Sequence, residues 1–303
     1  MKKPAKIPGF DKKISGILFV NLATLLWASN IVIGRSIASA IGPLTLSGAR
    51  FTLAALLFGF LLFRDRSFSL KKHASSSTTL LFLGMALTGV VAFSPLLYLG
   101  LRYTTAANAA LINGTGPLMT GFLALLLLRE PMSFRQITGA CVALGGIGLL
   151  LSRGSLSFVT EHRINQGDLV VILAVFLWGL YSVLGKKTMR SVSPLVTTAV
   201  STFMGLPFLY ALAFLELRHF PVSWSLPLFG AVLYVGLIPA ALGFYAWNAG
   251  VARLGPSGAM VFYNTLPLYG ALLGYLCLGE PLGMLHLAGG ALIIGGGLWG
   301  SLS

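Results

Sequence analysis

Residues 109–131 read AALINGTGPLMTGFLALLLLREP, and residues 259–281 read AMVFYNTLPLYGALLGYLCLGEP. Ala109, Thr115, Pro117, Glu130 and Pro131 of the first stretch return in the second as Ala259, Thr265, Pro267, Glu280 and Pro281, each 150 positions later. The match runs outward from there. Gly100, Gly139, Gly145 and Gly146 return as Gly250, Gly289, Gly295 and Gly296 at the same spacing, and Trp27, Gly34 and Pro43 return as Trp178, Gly185 and Pro194 at a spacing of 151. Nine coincidences at one offset are hard to reach by chance, so the chain reads as one apolar unit written twice.

Of 303 residues 56% are hydrophobic and only 9% are charged, where soluble domains carry roughly 25% charged residues. Such a surface belongs in lipid. Ten apolar segments approach the roughly 20 residues that span a bilayer: about 14–34, 43–63, 79–100, 105–128, 134–152, 168–185, 194–215, 226–247, 256–278 and 284–301. No polar or Pro/Gly/Ser-rich linker divides them, so the expectation is one all-α membrane body of ten helices. Cys141 and Cys277 lie inside apolar segments, which argues against a disulfide framework.

The net charge of +14 would suggest a nucleic-acid partner in a soluble protein. Here the positions of the charges give another reading. With alternate loops on opposite sides, fifteen Lys and Arg fall on the side of the N-terminus and five on the other, with Arg50 alone inside a span. The positive-inside rule then puts both termini in the cytoplasm. Residues 1–13 form a cytoplasmic tail, 14–152 a first five-helix repeat, 153–167 an extracytoplasmic connector and 168–303 a second repeat. The first segment has a basic flank like a signal peptide, but it is too long for one and lacks a convincing cleavage site. Because five is odd, the second repeat enters the membrane from the opposite face, the inverted arrangement associated with alternating access.

The seven carboxylates all avoid the middle of the spans. Ion coupling through an intramembrane acid is therefore poorly supported, although backbone carbonyls also hold cations. His73, His162, His219 and His286 show no metal-ligand spacing and no partner acid for a catalytic dyad, and no Walker A sequence is present. The expectation is no enzyme, no cofactor and no metal site.

The candidate site rests on a few polar and aromatic residues. Pro117 and Pro267 fall at matching depths in the fourth and ninth spans, where proline removes a hydrogen bond and interrupts the helix. Freed carbonyls are tolerated at that depth only against protein or a watery cavity. Beside them stand Asn113 and Thr115 in one repeat and Tyr263, Asn264 and Thr265 in the other. In the first and sixth spans Trp27 with Asn30 and Trp178 with Tyr181 put an aromatic and a polar group on one helix face. Arg50 is either an anchor for an anionic substrate group or a cation that pairs with carbonyls or snorkels to the outer interface. Ser94, Pro95 and Tyr98 in the third span, and Pro239, Tyr245, Trp247 and Asn248 in or next to the eighth, either line a cavity or gate it. For every one of these residues helix packing is the competing explanation. Trp224 and Trp299, near span ends, read as interface residues.

Taken together, Trp27-Ala28-Ser29-Asn30, Arg50-Phe51, the fourth span through Pro117 and the duplicated Glu130-Pro131 and Glu280-Pro281 resemble the drug/metabolite transporter superfamily, specifically its ten-span exporters built from two EamA domains. The resemblance covers about residues 16–300. It implies two inverted five-helix repeats around a central cavity lined by spans one, three, four, six, eight and nine, in a bacterial inner membrane. It also implies export of amino acids or related metabolites. The substrate-binding set that follows is Trp27, Asn30, Arg50, Tyr98, Asn113, Thr115, Tyr181, Tyr263 and Asn264, with helix breaks at Pro117 and Pro267. The partners are a small-molecule substrate and the lipid bilayer, without nucleic acid, and a monomer is compatible with this reading. Ser201 stands where the second repeat would repeat Arg50, so an anion anchor would be one-sided. The alternatives are a multidrug-type exporter of lipophilic compounds, whose cation-exporting form would need a membrane-embedded Glu in the first span that this sequence lacks, and a membrane enzyme acting on lipids.

Overall fold

The structure, a computed structural model, describes residues 9–37, 40–64, 75–100, 103, 112–152, 166–278 and 283–301. Residues 1–8 of the expected tail, 153–165 of the expected connector, and Glu280 with Pro281 lie outside the described residues, as does the side chain of Tyr98. Every described regular element is a helix: α1 (Gly9–Ile37), α2 (Pro43–Arg64), α3 (Ser76–Met85), α4 (Phe93–Gly100), α5 (Gly116–Leu128), α6 (Phe134–Ser152), α7 (Gln166–Thr188), α8 (Pro194–Leu217), α9 (Leu226–Val235), α10 (Phe244–Tyr263), α11 (Leu266–Leu278) and α12 (Met284–Ser301). A π-helical stretch, Ala86–Ala92, carries α3 into α4, and another, Gly236–Gly243, carries α9 into α10. Backbone groups in hydrocarbon have no water to bond, so helices that satisfy them internally are the expected solution.

Five runs are long and apolar enough to cross a bilayer: Pro43–Arg64, Ser76–Leu97, Gln166–Thr188, Pro194–Leu217 and Leu226–Tyr263. Gly116–Leu128, Phe134–Leu149 and Leu287–Gly300 are shorter apolar helices. The last of the five, 38 residues long, is two helices in one. Gly255 takes φ 78°, ψ 164° and Pro256 opens the following turn, so the chain changes direction at a residue with no Cβ to clash. The outer surface carries Phe63 at 88% exposure and Leu226 at 85%, with Phe122, Phe134 and Phe214 also exposed. Side chains of this kind outside the core match lipid rather than water.

Helix contacts recur with the two halves of the chain exchanged. On α6 a Cβ at Gly139 would meet the Gly296 carbonyl of α12, and one at Gly146 would meet the Gly289 carbonyl. As the number rises on one helix it falls on the other, so α6 and α12 run antiparallel with their backbones touching, as small residues permit in membranes. The offset of 150 turns Gly139 into Gly289 and Gly146 into Gly296, so each of these contacts maps onto the other. The same holds elsewhere. Gly100 abuts the Gly167 carbonyl and Val171 of α7, while Gly250 abuts the Gly16 carbonyl and Val20 of α1.

One carboxylate closes an end of the bundle. Glu216, one residue past the expected span 194–215, lies in the last turn of α8 and faces the N-terminus of α2. Its carboxylate accepts from Leu44 N (3.1 Å), Thr45 N (2.7 Å) and the Thr45 hydroxyl (2.8 Å). Those amides have no intrahelical acceptor, and the positive end of the helix dipole adds to the attraction. Gly42 passes so close to the carboxylate that a side chain there would have to displace Glu216 from these donors. By contrast, the Arg190–Glu130 ion pair at 3.0 Å is exposed on both sides and adds little to stability. Glu216→Ala is expected to cost about 2 kcal/mol, since it strands helix-terminal donors; thermal melting in detergent would register it as a lowered transition, and an unchanged melting temperature would contradict it.

Candidate functional site

Two helix interruptions meet at the middle of the molecule. Before α5 the chain turns at Thr115, whose N–H and hydroxyl both bond the Ile112 carbonyl, at 3.0 and 2.6 Å. Before α11 it turns at Asn264 and Thr265, with Thr265 N and Oγ1 on the Phe262 carbonyl at 3.1 and 2.7 Å. Pro117 and Pro267 each follow as the second residue of the next helix, where a missing N–H costs nothing. The interruptions are also joined to one another. Asn264 Nδ2 donates to the Gly114 carbonyl at 3.3 Å, so a side chain from one break serves a carbonyl at the other. Thr24 of α1 shares a 3.0 Å hydrogen bond with the Thr265 hydroxyl, and Tyr269 donates to Asn21 Oδ1 at 2.8 Å.

Beside these breaks lies an aromatic cluster. The Trp27 and Trp178 rings meet edge to face with centroids 5.1 Å apart, and Trp178 stacks on Tyr181 at 5.0 Å with planes 17° apart. Trp247 sits 5.6 Å from Trp27 and 5.7 Å from Tyr263, and Phe244 is 5.7 Å from Trp27. Each such pair contributes of order 1 kcal/mol beyond the area it buries. Hydrogen bonds hold the rings in place. Trp27 Nε1 donates to the Pro239 carbonyl at 3.1 Å, Trp247 Nε1 to Ser182 Oγ at 3.1 Å, and Asn248 Nδ2 to both Tyr181 Oη (2.6 Å) and Thr198 Oγ1 (2.8 Å).

The two π-helical stretches border this cluster, and two of their glycines make room for it. The Tyr181 ring lies directly on Gly89, and Trp27 Nε1 lies against Gly243. Widened helical turns of this kind are frequent at functional sites. In the sequence only Ser94-Pro95, just after it, hints at the first stretch, and only Pro239 marks the second.

Arg50 is buried at 5% exposure and does not snorkel to the interface. Its Nη2 donates to Ser94 Oγ at 2.9 Å and its guanidinium carbon lies 4.8 Å from the centre of the Phe51 ring. Phe51 in turn meets Phe244 at 5.1 Å, so a fixed positive charge sits at the edge of the aromatic cluster. The corresponding Ser201 is fully buried and bonds the Thr197 carbonyl of its own helix. Among the described residues no group of three His, Cys, Asp or Glu side chains could hold a metal ion.

Of the expected site residues, Trp27, Tyr181 and Tyr263 stand together in the cluster, and Asn264 joins the break at which Thr115 turns the chain. Asn113, partly buried, flanks the first break, and Asn30 is buried one turn beyond Trp27. Arg50 is one ring removed from the centre, and of Tyr98 only the backbone, in α4, is described. The sequence left Trp247 and Asn248 undecided between lining, gating and packing; both are fully buried in this centre. Phe244 and Thr198 it did not single out, and nothing in their types distinguishes them from ordinary core residues.

The sequence profile of the EamA-like transporter family matches residues 14–152 and 165–301. The chain belongs to the EamA-like transporter family. Like its relatives it is a multi-pass membrane transporter. Its sequence is 29% identical over 263 residues to the uncharacterized transporter YyaM of Bacillus subtilis strain 168, covering 86% of this chain and 84% of that one. It is 29% identical over 288 residues to an S-adenosylmethionine/S-adenosylhomocysteine transporter of Chlamydia muridarum, covering 90% and 88%. A probable terminal-alkyne amino-acid exporter of Streptantibioticus cattleyicolor matches at 29% over 212 residues, covering 69% and 68%. A solved crystal structure superposes with a TM-score of 0.75 at 21% identity over 95% of this chain and 96% of that one, a likeness of fold.

Asn248 and Tyr181 form a bond in the buried centre, where losing one partner strands the other. A double-mutant cycle of Asn248→Ala and Tyr181→Phe is expected to give a coupling of about 1 kcal/mol in thermal or denaturant unfolding; additive effects would mean that the bond contributes nothing.

Proposed function

We propose that this EamA-family member is a ten-span secondary transporter of two inverted five-helix repeats, which exports a small organic solute by alternating access. An amino acid or a compound carrying an amino-acid moiety is the favoured substrate. In this reading the protein sits in the cell membrane with both termini in the cytoplasm, and the two repeats rock about the helix breaks. The observation that carries it is the meeting of the two interruptions beside the aromatic cluster, with Asn264 bonded to the Gly114 carbonyl. Discontinuous helices that cross near a repeat interface are where transporters of this build hold their substrates.

The exchanged contacts support inversion, because an antiparallel α6–α12 pair related by the 150-residue offset fits a two-fold axis in the membrane plane. Trp27, Asn30, Tyr181, Tyr263 and Asn264 would face the solute, with Asn113 and Thr115 at the first break. Arg50 would then attract a carboxylate from the edge of the cluster, and Tyr98 would lie along the path. The names of the relatives that handle S-adenosylmethionine or an alkyne amino acid favour the amino-acid class. The wealth of aromatic rings keeps a lipophilic drug-like substrate as the second reading.

The test is counterflow: proteoliposomes preloaded with unlabelled amino acids and metabolites, with entry of labelled compounds followed in the absence of an ion gradient. Transient accumulation of a labelled amino acid, reduced at least about tenfold by Asn264→Ala, is the expected result. No exchange across the panel by folded protein would overturn the reading, and exchange of lipophilic compounds alone would favour the second one.

A further inference from the structure

Trp27 and Trp178 are equivalent residues of the two repeats, yet their indole N–H groups are treated differently. Trp27 Nε1 reaches the Pro239 carbonyl of the second π-helical stretch, and it does so across Gly243, which has no side chain to block the approach. The equivalent acceptor for Trp178 would be the Gly89 carbonyl of the first stretch. The residue corresponding to Gly243 there is Phe93, whose ring packs on Trp178 at 4.8 Å, and the Tyr181 ring covers Gly89. Trp178 is 1% exposed, and its Nε1 finds no acceptor among the described residues. Instead the rings of Trp27, Phe93, Tyr181, Phe244, Trp247 and Tyr263 surround it.

A buried donor without an acceptor carries its full desolvation cost, and structures tolerate few of them without a reason. The two neighbouring tryptophans avoid that cost: Trp27 and Trp247 each hold an oxygen. Trp178 lies in the same centre, on α7, with its N–H withheld from the backbone by two aromatic side chains. Ligand sites are lined mainly by apolar and aromatic side chains, with a few placed polar groups that fix the ligand's orientation.

We infer that the Trp178 indole N–H is a specificity-determining contact of the transport site, donating to a hydrogen-bond acceptor on a solute whose planar or apolar part lies against the surrounding rings. This rests on the transport reading above and narrows its substrate class. The acceptor is a carboxylate or carbonyl oxygen or an unprotonated ring nitrogen, and a solute with donors alone is discriminated against. The contact is one-sided, as Arg50 is, so the two repeats offer the solute different chemistry from their equivalent positions.

The test uses full-length protein in counterflow with three labelled probes: phenylalanine and adenosine, which carry acceptors beside a ring, and phenethylamine, which is phenylalanine without its carboxylate. Wild type is expected to exchange at least one of the first two in preference to phenethylamine. Trp178→Phe, which keeps a ring and deletes the N–H, should raise the KM of that probe roughly tenfold, the worth of one hydrogen bond, with the maximal rate within about twofold. Where Trp178→Phe fails to fold, benzothienylalanine at position 178 replaces the N–H by sulfur in the same shape and should give the same shift. An unchanged KM in either variant, or equal exchange of phenethylamine, would overturn the assignment while leaving transport intact. Absence of exchange of all three by folded wild type would overturn the assignment, and the wider panel above would then decide whether transport falls with it.

Discussion

A bilayer offers no water to a broken helix, and the centre of this protein is built around that fact. Each helix interruption frees backbone groups that must find partners within the protein, at a cost of several kcal/mol for each group left alone. The structure meets the demand across the two halves: Asn264 at one interruption supplies a donor to the Gly114 carbonyl at the other. Thr115 and Thr265 turn their hydroxyls back onto the carbonyls of Ile112 and Phe262. The place where regular structure is lost is thus also the place where the halves are tied together.

Around that junction the remaining elements act as supports. The antiparallel α6–α12 pair packs backbone against backbone on glycine and carries few polar groups, as a rigid buttress would. The π-helical stretches widen α3–α4 and α9–α10 at the points where Tyr181 and Trp27 lie over glycine. Glu216 fastens α8 to the start of α2 with three charge-assisted hydrogen bonds. Every one of these joins residues of the first half to residues of the second, or shapes the surface on which they meet.

Much of the architecture is legible in the sequence because lipid imposes a simple code. Apolar runs of spanning length give an all-helical membrane protein, and an offset of 150 residues between matching Gly, Pro and Thr positions gives the duplication. The family follows from the same residues. Pro117 and Pro267 mark where α5 and α11 begin, each just past an interruption, since a missing N–H is a local property. Partnerships between distant residues are a different matter. Nothing in the sequence says that Asn264 faces Gly114, that Asn248 links Tyr181 to Thr198, or that Arg50 turns inward to Ser94 instead of outward to the interface, because each depends on which helix faces which. The π-helical stretches also escape a sequence reading: the rings that lie over their glycines, Tyr181 and Trp27, come from distant helices, and Ala86–Ala92 contains no proline to betray it.

The account makes the junction of the two interruptions the part of the path that opens to each side in turn. Thr115→Cys in a background of Cys141→Ser and Cys277→Ser puts a single thiol at that junction, and a small membrane-impermeant methanethiosulfonate can be applied separately to each face of oriented vesicles. The account predicts labelling from both faces, slowed when the exchanged solute is present. A thiol that stays unlabelled from both faces, in protein that still exchanges solute, would contradict it.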